Sequence, residues 1–94
     1  MLEKSIYIRA LNLWGNVAQI NMAIEECAEL IVKLAKSDRR KNGVTVGEIA
    51  EEIADVEIMM AQLRIVFGDE NVERAKNKKL TRLEELVKYG EGTA

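Results

Sequence analysis

Apolar residues return along this chain at helical intervals. Between positions 20 and 34 they fall at Ile20, Ala23, Ile24, Cys27, Leu30, Ile31 and Leu34, one face of a 3.6-residue repeat. A second run, Ile49, Ile53, Val56, Met60, Leu63 and Phe67, keeps the same spacing. No alternating stretch is long enough to argue for a strand. Proline is absent, and the six glycines sit where helices should stop: Gly15, Gly43, Gly47, Gly68, Gly90 and Gly92. The pattern predicts four helices, at about 2–14, 17–37, 46–67 and 70–89. Thr45 and Glu48 form a T-x-x-E capping box at the start of the third. Gly68 is expected to end that helix in the left-handed conformation, and Asp69 to cap the next. The fold class is therefore all-α, a bundle of about four helices in one domain, residues 1–94.

The third helix carries more apolar surface than one stripe requires. Ala54, Ile58, Ala61 and Ile65 make a second stripe away from the first, and between Ile58 and Phe67 only Gln62 and Arg64 are polar. A helix apolar nearly all round is buried nearly all round. In 94 residues the expected cover is another subunit, so a homo-oligomer, dimer or tetramer, is expected to complete the bundle.

Charge and cysteine narrow the function. A net charge of −2 argues against nucleic-acid binding through phosphate neutralisation. Cys27 stands alone, so an intramolecular disulfide and a cysteine metal cage are both excluded. Its apolar neighbours suggest an inert thiol in a reducing compartment. No apolar run approaches the roughly 20 residues that span a bilayer, and the first fifteen residues lack the core of a signal peptide. A cytoplasmic location with no membrane partner is expected.

The acids supply the candidate chemistry. Within "IEECAEL", Glu26 and Glu29 are three apart and so neighbours on one helical face. Glu52 and Asp55 repeat that spacing on the third helix, and their face turns apolar one turn later, at Met59 and then Val66. Antiparallel packing across a short loop would set the two pairs opposite each other. Such a cluster needs a cation. With no histidine in the chain, the hard oxygen ligands select Mg²⁺, or Mn²⁺, over zinc. Glutamates on a solvated face are the commoner reading of spacing alone, and Glu25 and Glu29 do fall opposite the main apolar stripe of their helix.

The wider pattern tips that balance. "EECAE" and "EIAD", with 22 residues between them, resemble the E-E-x-x-E … E-x-x-D signature of the MazG-like all-α nucleotide pyrophosphohydrolases. "WGNVAQINMAIEECAELIVKLAK" also has that family's glutamine ahead of the acids, and "KNKKLTRLEEL" resembles its basic C-terminal segment. The resemblance covers roughly residues 14 to 86. It implies an oligomeric all-α bundle that hydrolyses a nucleoside triphosphate to monophosphate and pyrophosphate with Mg²⁺. By motif position, Glu26, Glu29, Glu52 and Asp55 would be metal ligands, and Glu25 an outer partner or orienter of the attacking water. Lys76 and Lys79 fall within the apolar sector of the fourth helix (Val72, Ala75, Leu83, Leu86, Val87); they either run their stems outward to water or, in a triphosphate site, would neutralise phosphate with Arg82 assisting. Gln19 would hydrogen-bond base or sugar, with Asn77 a second candidate. The loop residues Asp38, Arg39, Arg40 and Lys41 are either solvated or close over the nucleotide. Trp14 and Tyr7 are expected as core anchors rather than base-stacking groups. Two rival readings stand: a phosphoribosyl-ATP pyrophosphohydrolase, and a non-catalytic helical dimerisation or regulatory module.

Overall fold

The glycine joints and the capping box set the frame. In the computed structural model, which describes residues 2–37 and 43–92, α1 is Glu3–Trp14, α2 Asn16–Ser37, α3 Val46–Phe67 and α4 Asp69–Gly92. Among the described residues every regular element is helical. Asp38, Arg39, Arg40 and Lys41, expected in the loop, lie outside the described residues.

One residue separates α1 from α2. Gly15 has φ 90°, and its N–H donates to the Leu11 carbonyl at 2.9 Å, closing the last turn of α1. α3 opens on the capping box: the Thr45 hydroxyl accepts from the Glu48 N–H, and the Glu48 carboxylate accepts from the Thr45 N–H, both at 3.1 Å. Gly68 ends α3 with φ 95° and ψ 111°. That is positive φ but outside the left-handed helical basin, which differs from the sequence expectation. Asn71 takes over the terminal carbonyl, donating from Nδ2 to Phe67 O at 3.0 Å. Asp69 begins α4 instead of capping it, and with Glu73 it accepts from the Arg64 guanidinium at 3.0 and 2.8 Å. This clamp fixes the α3–α4 corner. Gly90 does not stop α4, since an interior glycine weakens a helix by about 1 kcal/mol without forbidding it.

α2 and α3, each 22 residues, form the main seam. They run antiparallel: Gln19 near the start of α2 meets Gln62 near the end of α3, and Glu26 further along meets Glu52 and Asp55 further back. α1 lies against both and buries Leu11. The centre consists of Leu11, Ala23 and Met59 with the amides of Gln19 and Gln62. Met59 is thus buried where the acidic face of α3 was expected to turn inward.

Among the described residues α4 contacts α3 alone, and it buries none of its residues. The radius of gyration is 17.0 Å, against about 12 Å for a compact chain of this length. Ile24, Ile31 and Leu34 of the predicted α2 stripe stay exposed, as does Phe67. Among the described residues no helix is long and apolar enough to cross a membrane.

Candidate metal centre

Helical phase brings three acids together. Ala23 is buried in the α2–α3 seam, and Glu26 lies three residues on along the same face. On α3 the same logic links buried Met59 to Asp55 and Glu52, four and seven residues before it. One carboxylate oxygen each from Glu26, Glu52 and Asp55 lies within 4.8 Å of the others. Glu26 and Glu52 are half-buried, Asp55 exposed. The Oε2 atoms of Glu26 and Glu52 are shut off from solvent with no hydrogen-bond partner.

Both carboxyls are held above the ordinary value. For Glu26 burial acts first, then the charges of Glu29, Asp55 and Glu52. For Glu52 burial again leads, followed by Glu29 and Asp55, with Lys33 opposing the rise. A buried acceptor without a donor is costly to leave unpaired, and here two such atoms belong to carboxylates gathered with a third acid. A hard divalent cation answers both the orphaned oxygens and the repulsion. The donor set is all oxygen and fits Mg²⁺.

Glu29 stands outside the tight triad and is exposed, yet its charge acts on both Glu26 and Glu52. It lines a shallow groove of about 430 Å³ with Ala28, Val32, Lys33 and Glu52. Glu25 is exposed and is not part of the triad.

At the other end of the seam is a groove of about 540 Å³ lined by Trp14, Ala18, Gln19, Met22, Met59 and Gln62. Gln19 Nε2 donates to Gln62 Oε1 at 2.7 Å, and Gln62 Nε2 approaches Met59 Sδ at 3.8 Å. Met22 and Met59 are one turn from Glu26 and Asp55, so this groove adjoins the acids. Trp14, expected in the core, is 62% exposed and walls the groove instead. Its glycine-hinged position at the end of α1 leaves no helix to cover it. Tyr7 is half-buried, beside Arg64 and Ile65.

The α4 candidates lie elsewhere. Lys76 and Lys79 line an open groove along α4 with Val72, Ala75, Leu80 and Leu83. Arg82 and Asn77 are exposed, and the Asn77 carbonyl accepts from Thr81 Oγ1 at 3.1 Å. Because α4 touches only α3 among the described residues, one chain does not bring these cations to the carboxylates of α2.

Sequence reasoning missed Gln62 and Lys33 as site residues. Gln62 is the uncharged polar residue in an otherwise apolar run, which signals a buried amide awaiting a partner. Lys33 follows Glu26 by seven residues and Glu29 by four, on the same face. Comparison with protein-family models, curated proteins and solved structures gave no match.

Proposed function

We propose that this chain is a Mg²⁺-dependent nucleotide pyrophosphohydrolase of the MazG-like kind, cleaving a nucleoside triphosphate to monophosphate and pyrophosphate. The observation that carries the reading is the pair of orphaned oxygens, Glu26 Oε2 and Glu52 Oε2, on two carboxylates that gather with Asp55 across the α2–α3 seam. The motif resemblance names the same residues. Glu26, Glu52 and Asp55 hold the ion, and Glu29 completes the set from the solvent side. Mg²⁺ bound there would supply neutralisation of phosphate charge and a more acidic water.

The protein's own groups do the rest. A bond forms from water oxygen to phosphorus, one phosphoanhydride bond breaks, and the water proton passes to a carboxylate or to solvent. Glu25, outside the ligand set, remains the outer partner of the motif. The Trp14–Gln62 groove receives the base: the indole offers a flat apolar wall, and Gln19 with Gln62 offers amide donors and acceptors.

A second copy of the chain completes the molecule in this reading. The accessible surface is 7617 Å², about 2,100 Å² more than the roughly 5,500 Å² of a compact monomer of this mass. A stable interface needs only about 800 Å² from each partner. Assembly is also the route by which Lys76, Lys79 and Arg82 reach a phosphate chain held by α2. The non-catalytic module keeps one specific observation in its favour, the exposed apolar faces, but leaves the orphaned oxygens unexplained.

The test is pyrophosphate release from a nucleotide panel with Mg²⁺ and with EDTA. Activity that needs Mg²⁺ and is lost in Glu52→Gln is expected. Turnover that survives either change refutes the metal reading.

A further inference from the structure

Resting on that metal-nucleotide reading, we infer that Lys33 binds the terminal phosphates, so that the nucleotide lies along the α2–α3 seam with its base at the Trp14–Gln62 end. Three side chains of α2 follow one another in order along its axis. Gln19, Glu26 and Lys33 are spaced by seven residues, two helical turns, so all three share one face. At 1.5 Å per residue, each step is about 10 Å along the axis. The face therefore presents an amide, then an acid, then a cation. A magnesium-bound nucleoside triphosphate has its parts in the same order: base, metal-held phosphates, free terminal phosphate.

The surroundings of Lys33 fit that role. It is half-buried and lines the open groove with Glu29 and Glu52, and among the described residues it is the one cation in that lining. It forms no ion pair there: the ion pairs among the described residues belong to Arg64 and Lys88. An ammonium placed this way has two opposite effects. Toward the incoming Mg²⁺ it is a like charge and weakens binding. Toward a phosphate chain carried by that Mg²⁺ it is an opposite charge and strengthens binding. A lysine that merely runs its stem along the helix surface, with its head in bulk water, shows both effects only in weakened, screened form.

The experiment exploits the opposed signs. Mg²⁺ alone is titrated calorimetrically into wild type, Lys33→Gln and Lys33→Arg. The magnesium complex of inorganic tripolyphosphate is then titrated into each Mg²⁺-saturated protein, and KM and kcat are measured on the preferred triphosphate. Circular dichroism checks that each variant is folded. In Lys33→Gln, Mg²⁺ is expected to bind about 2- to 5-fold tighter while tripolyphosphate binds about 5- to 10-fold weaker, the scale of one screened charge. KM should rise by a similar factor with a smaller change in kcat, and Lys33→Arg should restore both affinities. Loss of Mg²⁺ and tripolyphosphate binding together in Lys33→Gln assigns the residue to structure and overturns the inference. Unchanged binding of both ligands, in a protein whose wild type hydrolyses nucleotide, overturns it too and leaves the pyrophosphohydrolase reading standing. A wild type that binds no Mg²⁺ brings down the reading and the inference together.

Discussion

Gln62→Leu tests the centre of the molecule most directly. Gln19 and Gln62 are 6% and 4% exposed, and one 2.7 Å hydrogen bond joins them across the seam. Leucine matches glutamine closely in volume, so the change removes the acceptor without opening a large cavity. It leaves the Gln19 amide desolvated with its partner gone, a cost of about 1–3 kcal/mol. For 94 residues the unfolding entropy is about 0.2 kcal/mol/K, so the melting temperature should fall by about 5–15 °C. Gln19→Leu should behave similarly. The double variant Gln19→Leu/Gln62→Leu replaces both partners by apolar groups and should recover most of the loss, because no polar atom is then left unpaired. Calorimetry at one fixed protein concentration reads all three, since association would otherwise shift the midpoint. A double variant that loses the sum of the two single losses refutes the paired-amide account, as does a Gln62→Leu protein melting within about 2 °C of wild type. The double variant also separates stability from recognition: it should still bind Mg²⁺ while losing affinity for the nucleoside.

Other predictions follow from the joints, the acids and α4. Between the ordinary carboxyl value of 4.5 and their raised values, Glu26 and Glu52 bind more protons in the folded chain than in the unfolded one. The slope of unfolding free energy against pH is therefore negative there, so metal-free stability falls as pH rises through that window. Saturating Mg²⁺ should flatten the fall; denaturant titrations showing equal slopes in wild type and Glu26→Gln/Glu52→Gln would contradict this. Gly68→Ala should destabilise by about 1–3 kcal/mol, because φ is 95° and a Cβ would lie 2.6 Å from Asn71 Nδ2. Gly15→Ala, strained in φ but meeting nothing within 4 Å, should cost less, and the reverse ranking in melting experiments counts against the joint geometry. Leu83→Glu, on the exposed apolar face of α4, should lower the mass measured by light scattering; an unchanged oligomer places the interface elsewhere.

Helix positions were legible because short-range chemistry sets them. Thr45 and Glu48 form their reciprocal cap from four residues of sequence, and Gly15 and Gly68 mark joints that need positive φ. The partner of each face was less legible. The wheel of α2 puts Ile31 and Ile24 at one edge of its stripe, and these stay exposed with Leu34, while the buried seam passes through Ala23 and Gln19 at the other edge. Periodicity reports which side chains gain by leaving water. It does not report whether the same chain or another one covers them.

The acids illustrate the same gap from the polar side. Judged against the apolar stripe, Glu26 borders a wet face; judged against Ala23 and Gln19, it points into the seam. Ala23 is buried, and a step of three residues on the same face carries Glu26 to Glu52 and Asp55. This gathering costs stability, since burial and like charges both push Glu26 and Glu52 toward the protonated form. A sequence selected only for folding would relieve this with one glutamine. Three carboxylates gathered on two helices, with Lys33 lining the adjoining groove, are what the proposed cation site asks of local phase, packing and electrostatics. The strain at the seam and the proposed chemistry thus have a common origin in the seven-residue spacing of Gln19, Glu26 and Lys33 on α2, set against the spacing of Glu52, Asp55, Met59 and Gln62 on α3.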